Sequence, residues 1–341
     1  MDNYILKNEN AIYYECGYSC DNAIYLSLGS EAFFITDARY TIEAQLEVNH
    51  AQVIESKDLI KTAQKLIKEA KIKKIVFDGN DFTFETYNKL TQDLKTKCIN
   101  KPNFSMLKRI IKTPKEIKYL TKASKLGRKG FTLLAKYLRK NGFETSEKFL
   151  HFKTIEKLTQ TGKFDVSFDP IFAINENSAK PHALPTNKKL HMHDLLLVDA
   201  GVKYKRYCSD RTCTAYVDFE HLNFKREQKF KNPKQQKIYD IVLKAHETAI
   251  NGAKSGMKAK EIDALARDVI KEAGYEHYFV HSTGHGVGLD IHEHPFINSK
   301  SDVIIEDNMV FTIEPGIYLP NEFGVRIEDT IVMKNGKAII L

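Results

Sequence analysis

The sequence predicts an α/β protein, in an α+β arrangement, with two domains. Three observations support this prediction. The chain has 341 residues, more than the roughly 250–300 residues that one hydrophobic core usually serves. Short apolar runs typical of strands alternate with amphipathic segments typical of helices. The composition changes near residue 110, so we place the boundary between about 103 and 113, dividing 1–108 from 109–341.

The first domain is predicted to be a sheet with helices packed on it. Residues 23–29 (AIYLSLG) and 32–37 (AFFITD) favour two strands joined by a short Gly/Ser turn. Residues 41–48 and 57–70 favour helices, the second because its apolar side chains recur at helical spacing. Residues 73–79 (KKIVFDG) favour a buried strand that ends in a turn.

The second domain opens with a helix start at Thr113-Pro114-Lys115-Glu116. Thr113 can cap the helix, Pro114 suits its first turn, and Glu116 can reach back to the cap backbone. This pattern predicts a long helix that ends near Lys140. Further helices are predicted over 145–160, 234–251 and 259–273, and strands over 195–202, 207–217, 309–319 and 325–333.

The composition is that of an ordinary soluble protein, with 42% hydrophobic and 28% charged residues. No run approaches the roughly 20 apolar residues of a membrane span. The N-terminal segment MDNYILKNENAIYY lacks the basic and apolar regions of a signal peptide. The five cysteines are loosely spaced, which favours free thiols in a reducing compartment. We therefore expect a cytoplasmic protein without a membrane partner.

The net charge of +8 raises the question of a nucleic-acid partner. The lysines are spread along the chain, and their densest run, KLIKEAKIKK at 65–74, is interrupted by apolar residues at helical spacing. Such a pattern is typical of a solvated helix face rather than a phosphate-binding stripe. We expect no nucleic-acid partner.

Four carboxylates lie in apolar surroundings: Asp199, Asp210, Glu314 and Glu328. An unpaired buried carboxylate costs several kcal/mol or shifts its pKa strongly. A salt bridge or a strand-end cap can explain one such acid, but it explains four together poorly. Divalent cations would balance the charges, and oxygen ligands with one imidazole suit manganese, cobalt, iron or zinc.

Histidines are concentrated in residues 281–295 (HSTGHGVGLDIHEHP), where they alternate with glycines that let the backbone approach a ligand closely. A strand that carries Glu314 follows. The combination indicates a functional site, although not all of these histidines can be ligands. The histidines of this segment are His281, His285, His292 and His294.

These motifs closely resemble a known family. HSTGHGVGLDIHEHP, TIEPGIY and GVRIED, with VDAG and SDRT upstream, are similar to the metallopeptidases that include aminopeptidase P, prolidase and methionine aminopeptidase. TDARY at 36–40 resembles the non-catalytic N-terminal domain of aminopeptidase P, prolidase and creatinase. The resemblance implies a creatinase-like domain over 1–108 and a pita-bread metallopeptidase domain over 109–341.

The resemblance implies five ligands for two divalent ions. Asp199 would bind one ion through both oxygens, and Asp210 and Glu328 would bridge the two ions. His285 and Glu314 would complete the shell of the other ion. We expect manganese, with cobalt, zinc and iron as alternatives that the same ligands accept.

The resemblance also implies catalytic residues. His182, in SAKPHALP, would contact the substrate near the scissile bond, and His281 and His292 would orient the substrate and stabilise the tetrahedral intermediate. Glu314 would also carry the proton to the leaving nitrogen. Arg326 would help to hold the site and the substrate carboxylate.

One position departs from the family pattern. The family commonly has a basic residue where Cys213 stands, whereas residues 210–214 read DRTCT here. The ligand Asp210 is kept, so the departure affects only the local charge. Arg211 would point to the opposite side of an extended strand. His294 has no counterpart role and is expected to be exposed to solvent.

The implied function is hydrolysis of the Xaa-Pro bond at the N-terminus of short peptides with proline at the second position, as in an Xaa-Pro aminopeptidase. An Xaa-Pro dipeptidase (prolidase) is the alternative, and it would have to close behind the carboxylate of a dipeptide. The N-terminal domain argues against methionine aminopeptidase, and the complete ligand set argues against a non-catalytic pita-bread binding protein. Relatives are commonly dimers, so we expect a homodimer.

Overall fold

A computed structural model describes residues 3–341, and the chain divides into two compact units, Met1–Arg109 and Ile110–Leu341. Residues 1 and 2, which open the segment used above against a signal peptide, lie outside the described residues. Both units combine helices with sheets, as the predicted fold class requires.

The N-terminal unit is built on a six-stranded sheet in the order β4-β3-β2-β1-β5-β6. Strand β2 is antiparallel to β1 and β3, and the remaining pairs are parallel. Helix α3 buries Ala63 and Ile67 against the sheet, as its helical spacing predicted. The predicted elements over 23–29, 32–37, 41–48, 57–70 and 73–79 are confirmed, with ends that differ by a few residues. The elements are β1 (Tyr4–Leu6), α1 (Glu9–Cys16), β2 (Ala23–Leu28), β3 (Glu31–Thr36), α2 (Thr41–Glu47), β4 (Gln52–Glu55), α3 (Leu59–Glu69), β5 (Lys74–Phe77), α4 (Phe84–Thr91), β6 (Lys97–Asn100) and α5 (Phe104–Lys108).

The second unit opens with the predicted capping box. Thr113 Oγ1 accepts from Glu116 N at 3.3 Å, and Glu116 Oε2 accepts from Thr113 N at 2.8 Å. The elements that follow are α6 (Pro114–Asn141), α7 (Glu147–Leu158), β7 (Ile171–Ile174), β8 (Leu195–Asp199), β9 (Lys203–Tyr204), β10 (Tyr207–Cys208), β11 (Thr212–Tyr216), α8 (Pro233–Gly252), α9 (Ala259–Glu272), β12 (Gly284–Gly286), β13 (Glu293–Ile297), β14 (Val310–Ile313), β15 (Gly316–Leu319), β16 (Phe323–Arg326), β17 (Asp329–Lys334) and β18 (Lys337–Ile340), with short 3-10 helices at Asn175–Ala179 and Glu276–Tyr278.

This unit has two halves, each with a sheet and two helices. The sheet β11-β8-β7 packs with α6 and α7, where Leu150 and Val198 share one core. The sheet β13-β12-β14-β17-β18 packs with α8 and α9, where Ile262 and Phe311 share another. Each fully buried side chain of this size contributes about 1.5–3 kcal/mol relative to an exposed one. The two cores hold the two sheets firmly on either side of the site described below.

Three strands predicted to be continuous are interrupted. The segment 207–217 breaks between β10 and β11, 309–319 breaks at Glu314 and Pro315, and 325–333 breaks at Ile327 and Glu328. The prediction of continuous strands was wrong at these points. A residue that leaves the hydrogen bonding of the sheet is free of the strict alternation of side chains, and its side chain can point into the cavity described below. Pro315 has no N–H group with which to extend the ladder. Each break carries or adjoins one of the acids singled out above.

Within residues 3–341, no helix is both long enough and apolar enough to cross a bilayer. All five cysteines are free thiols, as expected.

Candidate metal centre

All nine candidate site residues line a single cavity of about 520 Å³. Asp199 ends β8 and Asp210 precedes β11, so the first sheet supplies both. The second sheet supplies His285 from β12, Glu314 after β14 and Glu328 before β17. The remaining residues of the nine are His182, His281, His292 and Arg326. The five predicted ligands therefore converge from both sheets.

The ligand atoms lie at distances typical of a coordination shell. Asp210, His285 and Glu328 each offer an atom, and these atoms lie within 4.8 Å of one another. His285 Nε2 is 3.6 Å from Asp210 Oδ2 and 3.3 Å from Glu314 Oε1. Atoms that each bind a common ion at about 2.0–2.2 Å are separated by distances of this order. The geometry fits a divalent cation.

Within residues 3–341, two buried carboxylate oxygens lack a hydrogen-bond partner: Asp199 Oδ1 and Glu328 Oε1. The protein holds the other oxygen of each group, because Arg326 Nη2 donates to Asp199 Oδ2 at 2.6 Å and Thr212 Oγ1 donates to Glu328 Oε2 at 2.7 Å. Buried polar atoms are nearly always paired in folded proteins. The two free oxygens, both in the cavity of the acids, therefore fit metal ligands. Since Arg326 occupies one oxygen of Asp199, only the other is free of protein partners.

The acids repel one another in this cavity. Burial raises the pKa of Asp210 and Glu328 well above their usual range, and neighbouring carboxylates raise it further. Burial raises the pKa of Glu314 to about 8, against the opposing effect of Arg326. Without cations the cluster therefore retains protons near neutral pH, and divalent cations would replace them.

His285 is a neutral imidazole, the form that can bind a metal ion. Burial lowers its pKa to about 3. Its Nδ1 lies 3.1 Å from Gly286 O, which assigns the ring proton to Nδ1 and leaves the Nε2 lone pair facing the acids. A lone pair directed at carboxylate oxygens is unfavourable unless a proton or a cation lies between them. This arrangement is the usual one for a metal-binding imidazole.

A chain of hydrogen bonds links His281 to Asp199 through Tyr318 and Arg326. Arg326 Nη1 donates to Tyr318 OH at 2.7 Å, and Tyr318 OH lies 2.8 Å from His281 Nε2. Burial raises the pKa of Tyr318 to about 12, so the phenol keeps its proton and donates to the imidazole. His281 Nδ1 lies 2.8 Å from Ser282 O, which fixes the ring from its other side. The sequence did not single out Tyr318, because a tyrosine in an apolar strand is usually a core residue.

Helix α9 holds the backbone that carries His281. Asp263, 1% exposed, accepts from Arg267 Nε at 2.8 Å and Nη2 at 2.9 Å, and from Thr283 Oγ1 at 2.7 Å. Arg267 donates to the carbonyl oxygens of Phe279 at 3.3 Å and His281 at 3.0 Å. The sequence indicates these hydrogen bonds of Asp263 and Arg267 only by the position of an acid on the apolar face of a helix.

Glu147 holds both ends of the segment that carries His182. This fully buried carboxylate, at the start of α7, accepts from Ile174 N at 2.7 Å and Asn177 Nδ2 at 2.9 Å. It also accepts from Thr186 N at 2.7 Å and from Thr186 Oγ1 at 2.6 Å. Sequence reasoning placed this residue only within a helix, because its partners lie up to 39 positions away.

Glu328 and Asp329 are neighbours with opposite surroundings. Glu328 faces the cavity, and Thr330 on the same side of the strand donates from Oγ1 to Asp210 O at 3.0 Å. Asp329 faces α8, where it is paired with Arg226 and lies 3.4 Å from His246 Nε2. Burial alone would raise the pKa of Asp329, but His246 and Arg226 lower it to about 2.

Cys213 lies behind the cavity rather than in it. Its Sγ is 3.8 Å from Phe224 O, and it packs in the core of the first half. Arg211 extends over the ring of Phe131 at 5.6 Å and also does not line the cavity. The cysteine therefore changes the charge behind the sheet and leaves the walls of the cavity unaltered.

His292 and His294, which follow His285 in the sequence, have different surroundings. The rings of His292 and His285 are 4.3 Å apart, and burial lowers the pKa of His292. His294 packs against Phe296 with ring centroids 4.9 Å apart and is half-buried. The expectation that His294 is exposed to solvent was wrong because β13 turns it against this neighbouring ring.

Comparisons with known proteins cover the whole chain. Residues 118–335 match the model of metallopeptidase family M24, and residues 1–113 match the creatinase/prolidase N-terminal domain. An uncharacterized peptidase of Bacillus subtilis is 34% identical over 100% of this chain and 93% of its own length. The solved structure of an Xaa-Pro dipeptidase from Bacillus anthracis has a TM-score of 0.90 and 33% identity, covering 99% of this chain and 92% of that one. An X-Pro aminopeptidase from Thermotoga maritima has a TM-score of 0.87 and 30% identity, with 100% and 95% covered.

Proposed function

This chain belongs to metallopeptidase family M24, with a creatinase/prolidase N-terminal domain followed by the pita-bread domain, and from this premise we propose that it hydrolyses Xaa-Pro peptide bonds. The observation that carries the proposal is the largely buried cluster of four carboxylates and one imidazole, in which Asp199 Oδ1 and Glu328 Oε1 have no hydrogen-bond partner in the part of the chain that the structure describes. Membership of the family implies divalent metal ions, and the cluster offers the ligands for them.

We infer that Asp199, Asp210, His285, Glu314 and Glu328 hold two divalent ions. When bound, such ions would supply a water with a lowered pKa and would polarise the scissile carbonyl. The oxygen-rich ligand set supports manganese, and cobalt, zinc or iron would accept the same ligands. Asp199 Oδ1 is open to an ion, and Asp199 Oδ2, which accepts one hydrogen bond from Arg326, keeps a second lone pair, so binding through both oxygens stays the proposal.

The protein groups divide the remaining work. Glu314 Oε1, 3.2 Å from Thr312 Oγ1, receives a proton and returns it to the leaving nitrogen. His292 borders the cavity and is placed to donate to the oxyanion, while Tyr318 fixes the orientation of His281. His182 contacts the substrate beside the scissile bond. These roles follow the family resemblance and agree with the positions of the side chains.

The walls of the cavity suit a proline ring. The nitrogen of an Xaa-Pro bond carries no hydrogen, so recognition has to rely on apolar contact instead of a hydrogen bond from that position. Apolar side chains line much of the cavity and offer such contact. They include Phe168, Ile171, Ile291 and Phe296.

The test is hydrolysis by purified protein loaded with manganese or cobalt. We expect cleavage of Ala-Pro or Ala-Pro-Ala, and loss of both activities in Asp210→Asn. Absence of activity on both substrates would refute the proposal. Release of methionine from a peptide without proline at position two would favour methionine aminopeptidase instead. Less than one divalent ion per chain after reconstitution would favour a non-catalytic binding protein.

We further propose that the protein acts as a homodimer in the cytoplasm. Dimers are common among its relatives, and the sequence features described above support the location. Sedimentation velocity at micromolar concentration tests the assembly, and a single monomeric species would refute it. Cell fractionation with an antibody against the chain tests the location.

A further inference from the structure

We propose that the substrates of this site continue past the proline, and that Leu184 contacts the residue that follows it. The preferred class would then be peptides of three or more residues with proline at position two, rather than Xaa-Pro dipeptides. This inference rests on the proposed cleavage of Xaa-Pro bonds and specifies which peptides the same site accepts.

A dipeptide substrate ends in a carboxylate directly attached to the proline. That charge would have to enter the cavity with the ring, where burial without a partner is costly. A site that selects dipeptides therefore needs a cationic group with free N–H donors, and a guanidinium that can bind both oxygens serves best.

The cavity offers few cationic N–H donors to such a carboxylate. Of the residues between 3 and 341 that line it, Arg326 is the one lysine or arginine. Its Nε donates to Thr212 Oγ1 at 2.9 Å, and its Nη1 donates to Pro181 O at 3.2 Å and Tyr318 OH at 2.7 Å. Its Nη2 donates to Asp199 Oδ2 at 2.6 Å. One of its five N–H groups remains, so the guanidinium can offer a substrate carboxylate one hydrogen bond at most, less than the role that the family resemblance implied for it.

The histidines of the cavity have other partners or roles. Both ring nitrogens of His281 lie within hydrogen-bonding distance of protein oxygens, Ser282 O and Tyr318 OH. His285 belongs to the proposed ligand set, and the proposed mechanism places His182 and His292 at the scissile bond. Asp169 also lines the cavity, with its side chain 75% exposed. Its Oδ1 lies 3.0 Å from His151 Nε2 and offers no donor to the carboxylate of a dipeptide.

Leu184 presents an apolar side chain at the mouth instead. It lines the cavity two positions after His182 and is 77% exposed. A single exposed leucine is ordinary, but the backbone here is fixed. Leu184 O accepts from Asn177 Nδ2 at 3.0 Å, and Pro181 O accepts from Arg326. The leucine is therefore held where a chain leaving the cavity beyond the proline can cover it.

Substrates that share the scissile bond provide the first test. We would measure kcat/KM of the metal-loaded enzyme for Ala-Pro, Ala-Pro-NH2 and Ala-Pro-Leu. We expect the amide and the tripeptide to exceed the dipeptide at least about tenfold, as for the penalty of an unpaired buried charge. A dipeptide cleaved as well as the amide would overturn the inference alone. No cleavage of any of the three would overturn the proposed function as well.

A variant provides the second test. Leu184→Ser should lower the ratio of kcat/KM for Ala-Pro-Leu to that for Ala-Pro-NH2 by about threefold or more, since the amide ends before it can cover the leucine. Ile42→Ser in α2 of the N-terminal unit is the matched control, because Ile42 is also 77% exposed. This control should leave the ratio unchanged. An unchanged ratio in Leu184→Ser, or an equal change in both variants, would overturn the proposed contact.

Discussion

The buried carboxylate of Glu147 allows a quantitative test of how the His182 segment is held. Glu147→Gln keeps the shape of the side chain but replaces one oxygen with an NH2 group. We expect the NH2 group to replace Oε1, which accepts one hydrogen bond, from Ile174 N. Replacing Oε2 would disrupt three hydrogen bonds, from Asn177 and Thr186. The Ile174 N–H then lacks an acceptor, at a cost of about 1–3 kcal/mol. The three remaining hydrogen bonds lose charge assistance, which costs roughly a further 2 kcal/mol in total.

We therefore expect Glu147→Gln to destabilise the second unit by about 3–5 kcal/mol, which corresponds to a fall in Tm of roughly 6–20 °C for a unit of this size. Calorimetry measures the shift, and kcat/KM should fall too because His182 loses its support. Glu156→Gln is the control, since Glu156 lies on the same helix, is partly exposed, and pairs with Lys153 at 2.6 Å and with Lys157. Pairs that water can reach contribute only about 0–1 kcal/mol each. Equal stability of the two variants would refute the reasoning.

Three further predictions concern the candidate metal centre. Asp210→Asn should weaken divalent-metal binding at least about tenfold while leaving the circular dichroism unchanged, as calorimetric titration would show; undiminished affinity would contradict its place among the ligands. In the metal-free protein, burial raises the pKa of Glu314 to about 8. An unfolded glutamate has a pKa of about 4.3. Compared with the unfolded state, the folded state therefore binds more protons between these two pH values. Its stability should therefore fall as pH rises from about 4 to 8, and the gain in Tm on adding metal should grow over the same interval; a metal-free Tm that rises with pH would contradict this. Tyr318→Phe should lower kcat about tenfold with metal content retained, because the hydroxyl between His281 and Arg326 is lost; a change in KM alone would argue against a role in orienting the imidazole.

Local signals predicted the helices well. The box at Thr113 and Glu116 and the apolar periodicity of 234–251 and 259–273 depend on neighbours within a few positions, so the sequence contains the information needed. The strand breaks were missed because they depend on distant partners. At Glu314, for instance, the backbone N–H leaves the ladder of β14 and β17 and donates to Thr283 O at 2.8 Å.

The residues of the candidate site likewise fall into those that the sequence indicated and those that it did not. Acids within apolar runs indicated a cation cluster, and the family resemblance supplied the order of the five residues; the structure gathers them in one cavity, and their role as ligands stays a prediction. The supporting residues could not be predicted. Glu147 and Asp263 act on segments far along the chain, and the bond from Arg326 to Pro181 spans 145 positions. Apart from the position of Asp263 on the apolar face of a helix, nothing in the local sequence distinguishes such residues from ordinary core or surface positions.

The adjacent acids at 328 and 329 have a consequence for how strand β17 finds its register. A slip by one residue that brought Asp329 to the place of Glu328 in the cavity would bring Thr330 to the place of Asp329 beside Arg226. The cavity would still receive a carboxylate, so the charge inside the cavity discriminates poorly between the two alignments. Behind the sheet, however, Arg226 would lose its partner, and Lys334 would take the place of Met333, which is fully buried in the core beneath α8. The contacts behind the sheet, rather than the acids in the cavity, therefore select which carboxylate reaches the candidate metal centre.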